Sequence, residues 1–267
     1  MHDGSLSFII PVRHQDSTED WPTLKRHLAA TLASVAAQTA PNWRCVVVAN
    51  HGADLPTMPA KCEVVWVELP FERLLDPNVD LEGFRNGIRK DKGLRLLAGI
   101  QHLRPTGHVM QVDGDDWISP KLAELVSIHP AANGWYFDQA YVYAGGAILY
   151  KYPRDFFLFC GTSHIIRADL LLPQGVSEDE VDLQTVMTRL GSHVFIKRYL
   201  DEEDTPLSPL PFRGAGYRVG HGNSVTQSSA LFDHLFRLPD ALRHPRETLR
   251  RLGRLGLARK ADFKLQW

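Results

Sequence analysis

The sequence lacks several features that would assign it to a class at once. Its 267 residues include three cysteines, an odd number without CxxC spacing, which argues against a disulfide framework and a cysteine-rich zinc site. No run approaches the roughly 20 apolar residues needed to span a bilayer. The first residues show no basic region followed by an apolar core, so no secretory signal is expected. We therefore predict a cytoplasmic protein.

A strong net charge and the common phosphate-binding motifs are also missing. The formal net charge is −1, so no overall field favours nucleic acid, and no nucleic-acid partner is predicted. No GxGxxG follows the first apolar run and no GxxxxGK occurs, which excludes the usual dinucleotide fingerprint and the P-loop. Any phosphate bound by this chain must be neutralised in another way.

Apolar runs alternate with helical patterns in the first half of the chain. Residues 7–12, 45–49 and 64–67 are near-continuous apolar runs, typical of strands buried on both faces. Asp20-Trp21-Pro22 predicts a helix start after the first strand, and a further helix is predicted from about Lys92 to Leu103. This alternation predicts an α/β fold with a mainly parallel central sheet and helices on both faces.

Two other segments have less regular patterns. Residues 71–90 are polar, are punctuated by glycine and have no clear period, which predicts a long loop of functional importance. Residues 175–180 end in three acids and predict the start of a helix that runs to near Gly191.

The segment 109–116 carries the clearest chemical signal. A short apolar run ends in Asp113, Asp115 and Asp116, and like charges crowded at a strand end are unfavourable without a cation between them. The next helix does not need these acids, because Ser119-Pro120 already supplies an N-cap and a proline at its first position. Carboxylates favour Mg²⁺ or Mn²⁺ as this partner. The alternative is a solvated or Ca²⁺-binding loop, although the glycine of an EF-hand is absent.

Polar residues follow three of the predicted parallel strands. They are Pro11 to Arg13, Asn50 to Asp54, and Asp113 to Asp116. Ligands of such sheets bind beyond the carboxyl ends of the strands. We therefore expect these three segments to meet in one crevice.

The order of these segments resembles the inverting, metal-dependent nucleotide-sugar glycosyltransferases of the GT-A fold, in particular glycosyltransferase family 2. The matching pieces extend over about two thirds of the chain, and the DxDD sequence followed by an apolar residue and proline is the most specific. The matching residues are 8–12, 34–39, Asn42-Trp43, 50–54, Asp91-Lys92-Gly93, Arg95, 112–120 and 177–179.

The resemblance implies a Rossmann-like GT-A fold and an enzyme that moves a hexosyl or N-acetylhexosaminyl group. The donor would be a nucleotide-diphosphate sugar, with UDP favoured, and the acceptor a hydroxyl of a carbohydrate or glycolipid. Mn²⁺ or Mg²⁺ would be the cofactor. The resemblance implies that the following residues bind the donor: Pro11, Arg13, Asn50, Asp54, Asp91, Lys92, Arg95, Asp113 and Gly114.

The same resemblance implies roles for the acids. Asp113 and Asp115 match the DxD motif as metal ligands, with Asp113 also directed towards the ribose, and His221 matches a late histidine that adds a metal or phosphate contact. Asp179 matches the general base that takes the proton of the acceptor hydroxyl, and Asp182 is the second choice on the same predicted helix face. The alternative for residues 178–180 is a set of acids that only complements a helix dipole.

Two other functions stay open. At the position of Asn50 the family usually has an acidic residue that contacts the nucleotide base of the donor. The Asn50 amide offers both a hydrogen-bond donor and an acceptor, so the identity of the nucleotide base stays open. A non-catalytic sugar-nucleotide-binding module of the same fold is therefore an alternative. A nucleotidyltransferase is less favoured, because such enzymes usually have a glycine-rich basic loop after the first strand and residues 13–19 contain no glycine.

The predicted organisation has three parts. Residues 1–118 would bind the donor, residues 119–232 would bind the acceptor and carry catalysis, and residues 233–267 would form a basic helical extension. Residues 237–264 contain nine Lys or Arg and three Asp or Glu. The favoured interpretation is a terminal helix docked on the body; the alternative is peripheral contact with the inner face of the membrane. Nothing in the sequence sets the oligomeric state.

Overall fold

The computed structural model describes residues 3–18, 20–143, 148–219, 246, 250–254 and 263 of the chain. These residues form two β-sheets with helices packed around them. The first sheet has seven strands in the order β10 (Ser208–Pro209), β6 (Gly134–Tyr136), β9 (His164–Arg167), β4 (His108–Gln111), β1 (Leu6–Pro11), β2 (Trp43–Asn50) and β3 (Cys62–Val67).

The first sheet is mixed, whereas the sequence predicted a mainly parallel sheet. Strands β4, β1, β2 and β3 pair in parallel, as the alternation of strands and helices predicted. Strand β9, however, lies antiparallel between β4 and β6. The chain between β6 and β9 forms further strands rather than a crossover helix, so β9 is free to run in the opposite direction.

The second sheet adjoins the acidic segment. Its five strands follow the order β12 (Leu252–Arg254), β8 (Ile148–Tyr152), β7 (Ala140–Tyr143), β11 (Ala215–Arg218) and β5 (Trp117–Ile118). Strand β5 pairs with β11 in antiparallel register. Because β4 ends at Gln111 and β5 begins at Trp117, residues 112–116 connect the two sheets.

Helices cover both faces of the parallel strands, as predicted. They are α1 (Trp21–Ala36), α2 (Leu81–Leu103), α3 (Leu122–Ile128), α4 (Leu183–Thr185) and α5 (His193–Glu202). Alternate residues of a strand face opposite sides, so Phe8 and Ile10 pack in one core with Leu28 of α1. Ile9 packs in the other core with Leu96 of α2. The predicted start of α1 is confirmed, since the Asp20 carboxylate accepts the Thr23 N–H at 2.9 Å.

Helix α2 begins eleven residues before its predicted start at Lys92, within the stretch predicted to be a loop. Asp80 caps it by accepting the Gly83 N–H at 2.8 Å. The first half of α2 contributes no residue to the buried core, whereas its second half buries Leu96 and Ile100. A helical segment without a buried face has no apolar period, which explains why the pattern did not reveal it.

Two predicted helix starts are wrong. Residues 175–180 form turns, and α4 begins only after Asp182, whose carboxylate accepts the Thr185 N–H at 3.0 Å. Helix α3 begins at Leu122, after Lys121, rather than at Ser119-Pro120. Before α3 the Ser119 hydroxyl accepts the Lys121 N–H at 3.4 Å, and before α4 the Glu180 N–H donates to the Ser177 carbonyl.

Among the described residues, no helix combines the length and apolar character needed to cross a membrane. Most of the predicted basic extension, residues 233–267, lies outside the described residues. Its helix and its membrane contact, like the division into parts at residues 118 and 232, remain predictions.

Candidate active site

A cavity of about 420 Å³ lies at the carboxyl ends of β1 and β4. It is lined by residues from segments 11–14, 69–74, 85–94, 113–115, 159–161 and 191–194, together with Tyr217. Parallel strands that exit on the same edge bring their following residues together. Two of the three predicted segments, after β1 and after β4, therefore meet in this cavity as expected.

An ion pair between Lys92 and Asp113 lies in the wall of this cavity. Lys92 Nζ is 2.6 Å from Asp113 Oδ1, and the two side chains are only 18% and 26% exposed. Gln111 donates to the same oxygen at 3.2 Å, and the Asp113 N–H donates to Thr162 Oγ1 at 2.8 Å. Burial, the largest single influence, opposes ionisation of this carboxyl. The charge and hydrogen bond of Lys92, with His193 and Gln111, together outweigh it and lower the pKa of Asp113.

Gly161 makes the close approach of these groups possible. A Cβ atom at residue 161 would lie 2.6 Å from Asp113 Oδ2 and 2.7 Å from Gln111 Nε2, and would also overlap Lys92 Nζ. Real Cβ atoms do not come this close to other heavy atoms. The absence of a side chain at Gly161 is therefore a condition for the Lys92–Asp113 pair.

Asp116, whose role the sequence left open, lies behind the cavity. It is fully buried and accepts the Cys160 S–H at 3.1 Å and the Arg218 N–H at 3.3 Å. Burial first, and then the charges of Asp115 and Asp113, raise the pKa of Asp116 well above its usual range. Asp116 therefore joins the acidic segment to β11.

The donor atoms near these acids fit a divalent cation. One ligand atom each of Asp113, Asp116 and Cys160 lie within 4.8 Å of one another. Asp113 and Asp115 also line the cavity, where oxygen ligands would be reached from solvent. Oxygen atoms of this kind suit Mg²⁺ and Mn²⁺, and the cysteine sulfur suits softer ions.

Asn50 and Arg95 lie behind the cavity wall rather than in it. Arg95 is fully buried; it donates to both oxygens of Asp91 at 2.8 and 2.9 Å and to Asn50 Oδ1 at 2.8 Å. The Asn50 amide donates to Leu69 O at 2.7 Å. Of Asn50, Asp91 and Arg95, which were predicted to bind the nucleotide sugar, Asp91 lines the cavity. Asn50 therefore holds the wall segment that begins at Leu69.

Three predicted site residues lie away from this cavity. Asp54 forms an ion pair with Lys25 at 2.6 Å, and its side chain is 72% exposed. Asp179, the predicted base, lies 3.4 Å from Arg104 just beyond the end of α2. Asp182, the second choice, caps α4. The acids at 178–180 lie in turns before the helical segment, which begins only at Leu183 and runs through Val186–Leu190 to Gly191, the predicted end.

His221, the predicted additional metal contact, lies outside the described residues. Pro11, Arg13, Lys92 and Gly114, all predicted to bind the donor, line the cavity; their donor binding stays a prediction.

His193 was not identified from the sequence, yet it lines the cavity. It begins α5, directly after a tight contact in which a Cβ at Gly191 would overlap Arg89 O of α2. Its Nε2 lies 3.3 Å from Leu158 O; a carbonyl oxygen only accepts, so Nε2 carries the hydrogen and Nδ1 keeps its lone pair. Burial, then the Lys92 charge, lower the pKa of His193 to about 4. The sequence feature that could have identified His193 is its place directly after Gly191-Ser192.

Comparisons with known proteins assign no family. No family model matches the chain, and no curated protein matches it. Among solved structures, it is similar to S. aureus TarS 1-349, with 14% identity and a TM-score of 0.40 over 81% of this chain and 61% of that one. The chain thus spans about three fifths of that structure.

A second solved structure is the inositol-1-phosphate CTP transferase from T. maritima. It has 10% identity and a TM-score of 0.43, over 89% of this chain and 96% of that one. A third is Rv0371C from Mycobacterium tuberculosis H37Rv in complex with manganese, with 10% identity and a TM-score of 0.33 over 80% of this chain and 88% of that one. At these identities and scores the function must be argued from the site itself.

Replacing Gly161 by alanine should break the Lys92–Asp113 pair. The added methyl group would occupy space held by the ends of both side chains, which can turn aside by giving up their ion pair, so the cost should be about 1 kcal/mol, the low end for overpacking. Urea unfolding should show this loss in the free energy of unfolding. Gly114→Ala is the matched control, because its Cβ would lie 3.7 Å from Leu28 Cδ1, an ordinary contact. Equal stabilities of the two variants would contradict the prediction.

The raised pKa of Asp116 predicts a pH-dependent stability. Because its pKa is raised in the folded state, Asp116 keeps its proton to a higher pH in the folded protein than in the unfolded chain. Its contribution to the free energy of unfolding is therefore complete below about pH 4 and falls as the pH rises through the folded-state pKa. Asp116→Asn cannot lose a proton. The free energy of unfolding of the wild type should therefore fall relative to this variant between pH 4 and 8, by at most about 1.4 kcal/mol per pH unit. Denaturant unfolding in EDTA measures it, and parallel pH profiles would refute it.

Proposed function

We propose that this chain is a metal-dependent inverting glycosyltransferase that uses a nucleotide-diphosphate sugar. The observation that carries the proposal is the placement of Asp113 and Asp115 with Arg13, Arg89 and Lys92 in one cavity at the carboxyl ends of parallel strands. Such a cavity combines groups for a divalent cation with groups for an anion. A metal-bound diphosphate carries both charges and matches this arrangement.

The size and shape of the cavity support a ligand of this class. Its volume of about 420 Å³ falls within the range of roughly 300–1,000 Å³ typical of small-molecule sites. Arg13 and Lys92 line the same cavity as the acids and would bind the phosphate oxygens. UDP is the favoured nucleotide through the family resemblance alone.

Mn²⁺ or Mg²⁺ is the proposed cofactor, and Asp113 and Asp115 are its proposed protein ligands. When bound, a divalent cation would neutralise charge on the leaving diphosphate. Asp116 and Cys160 lie behind these acids and hold the loop in place through their hydrogen bond. The acids themselves fix the position at which the donor diphosphate binds.

The general base is assigned to His193. Asp179 and Asp182 do not line the cavity, whereas His193 does, with an unprotonated ring at neutral pH. In the proposed reaction the acceptor oxygen bonds to the anomeric carbon and its proton passes to His193 Nδ1. The bond from that carbon to the diphosphate breaks on the opposite face, which inverts the configuration.

A non-catalytic nucleotide-sugar-binding module is the second candidate. The position of Asp179 beside Arg104, outside the cavity, is the observation that favours it. Slow hydrolysis of a donor sugar without acceptor, dependent on Mn²⁺, distinguishes the two, because a binding module should release no sugar.

Asp115→Asn should abolish metal-dependent nucleotide binding. A panel of UDP, GDP, CDP and ADP and their sugars, screened by thermal shift with and without Mn²⁺, should stabilise the wild type with at least one nucleotide. Loss of one carboxylate ligand should remove this stabilisation in the variant. Asp54→Asn is the control, since Asp54 lies at Lys25 outside the cavity. Unchanged Mn²⁺-dependent binding by Asp115→Asn would refute the site assignment.

His193→Asn should reduce sugar transfer or donor hydrolysis by about 10²–10⁴-fold, the usual contribution of a general base. Nucleotide binding measured by calorimetry should stay within a few-fold of the wild type. Asp179→Asn should retain turnover, because Asp179 lies outside the cavity. If turnover were lost only in Asp179→Asn, the general base would instead be Asp179, the residue predicted from the sequence.

A further inference from the structure

The Lys92–Asp113 pair places a protein cation on the carboxylate that the proposed metal would need. Lys92 Nζ lies 2.6 Å from Asp113 Oδ1, within the range of a direct hydrogen-bonded ion pair. Both side chains are largely shielded from solvent, at 18% and 26% exposed. Water therefore does little to weaken the attraction between them.

The other approaches to Asp113 are also restricted. Gln111 Nε2 donates to Oδ1 at 3.2 Å. The second oxygen, Oδ2, and Lys92 Nζ both border the space that a Cβ at Gly161 would fill, so a cation that reached Oδ2 from there would lie against the ammonium. In this arrangement Lys92 occupies the position from which a cation would reach the carboxylate.

A divalent ion and the Lys92 ammonium cannot share Asp113 without strong repulsion, because both are positive and the site is partly buried. Metal binding therefore requires Lys92 to move. Lys92 lines the cavity, so a diphosphate bound there would offer its anionic oxygens as new partners.

We propose that Lys92 is an exchangeable counter-ion, which holds Asp113 in the ligand-free protein and transfers to the diphosphate when the donor binds. The transfer frees Asp113 for the metal. Metal and diphosphate thus bind as a coupled pair, and the free protein has low affinity for the metal. This inference rests on the proposed function, because it assumes that Asp113 is a metal ligand.

The inference is tested with Mn²⁺ alone, followed by electron paramagnetic resonance of the unbound ion. Lys92→Met should bind Mn²⁺ at least about 10-fold more tightly than the wild type, a coupling of ordinary size. Lys25→Met is the matched control: Lys25 forms an ion pair of the same length, 2.6 Å, with Asp54, and neither residue lines the cavity. Its Mn²⁺ affinity should equal that of the wild type.

The nucleotide provides a second readout in the opposite direction. Lys92→Met should bind UDP several-fold more weakly, because the phosphate loses a cation, while it binds Mn²⁺ more tightly. A purely structural role for Lys92 would weaken both. Lys92→Gln, which keeps a polar side chain, should show the same pair of changes, and thermal melting verifies that each variant is folded.

Three results would separate the possible failures. Equal Mn²⁺ affinity in the wild type and Lys92→Met would overturn the counter-ion role and leave the proposed function standing. The counter-ion role would also be overturned if the double variant Lys92→Met, Asp113→Asn kept the increased Mn²⁺ affinity, since the metal would then bind somewhere other than Asp113. Failure of every nucleotide in the panel to bind would overturn the proposed function, while the Mn²⁺ titration would still decide the role of Lys92.

Discussion

The candidate site depends on the contact between Lys92 and Asp113, which brings three parts of the chain to one point. Asp113 follows β4, Lys92 lies in the middle of α2, and Gly161 comes from the loop before β9. The pair is half-buried, and removing one partner of such a pair leaves an uncompensated charge, which costs more than the pair itself contributes. The close backbone approach of Gly161 and the charges of Lys92 and Asp113 are therefore mutually dependent.

The three acids after β4 have different environments although they are neighbours in sequence. Asp113 is balanced by Lys92, and Asp115 lines the cavity. Asp116 is turned away into the protein, where Cys160 and the Arg218 backbone satisfy its oxygens. The crowding of like charges is thus relieved in part by burying one carboxyl, whose raised pKa favours its neutral form.

The sequence predicted the parts of the fold that have a period or a cap. The parallel strands, the start of α1 at Asp20 and the position of Arg13 and Asp113 in the lining of one cavity follow from local patterns. The first half of α2 could not be predicted because it buries no face. The position of Asp179 could not be predicted either, because it depends on where the turns at 175–180 pack against Arg104. His193 reaches the cavity only through the contact of Gly191 with α2, which no local pattern contains.

The pairing of charges around the cavity limits what it can bind. Lys92 is paired with Asp113, and Asp91, which lines the cavity, is paired with Arg95 behind the wall. A lone anion that takes one of these cations leaves a carboxylate without its partner, and a lone cation leaves an ammonium or guanidinium without one. A ligand that carries both signs can exchange partners with a whole pair and leaves no charge uncompensated. Charge balance therefore favours a metal-diphosphate over either ion alone.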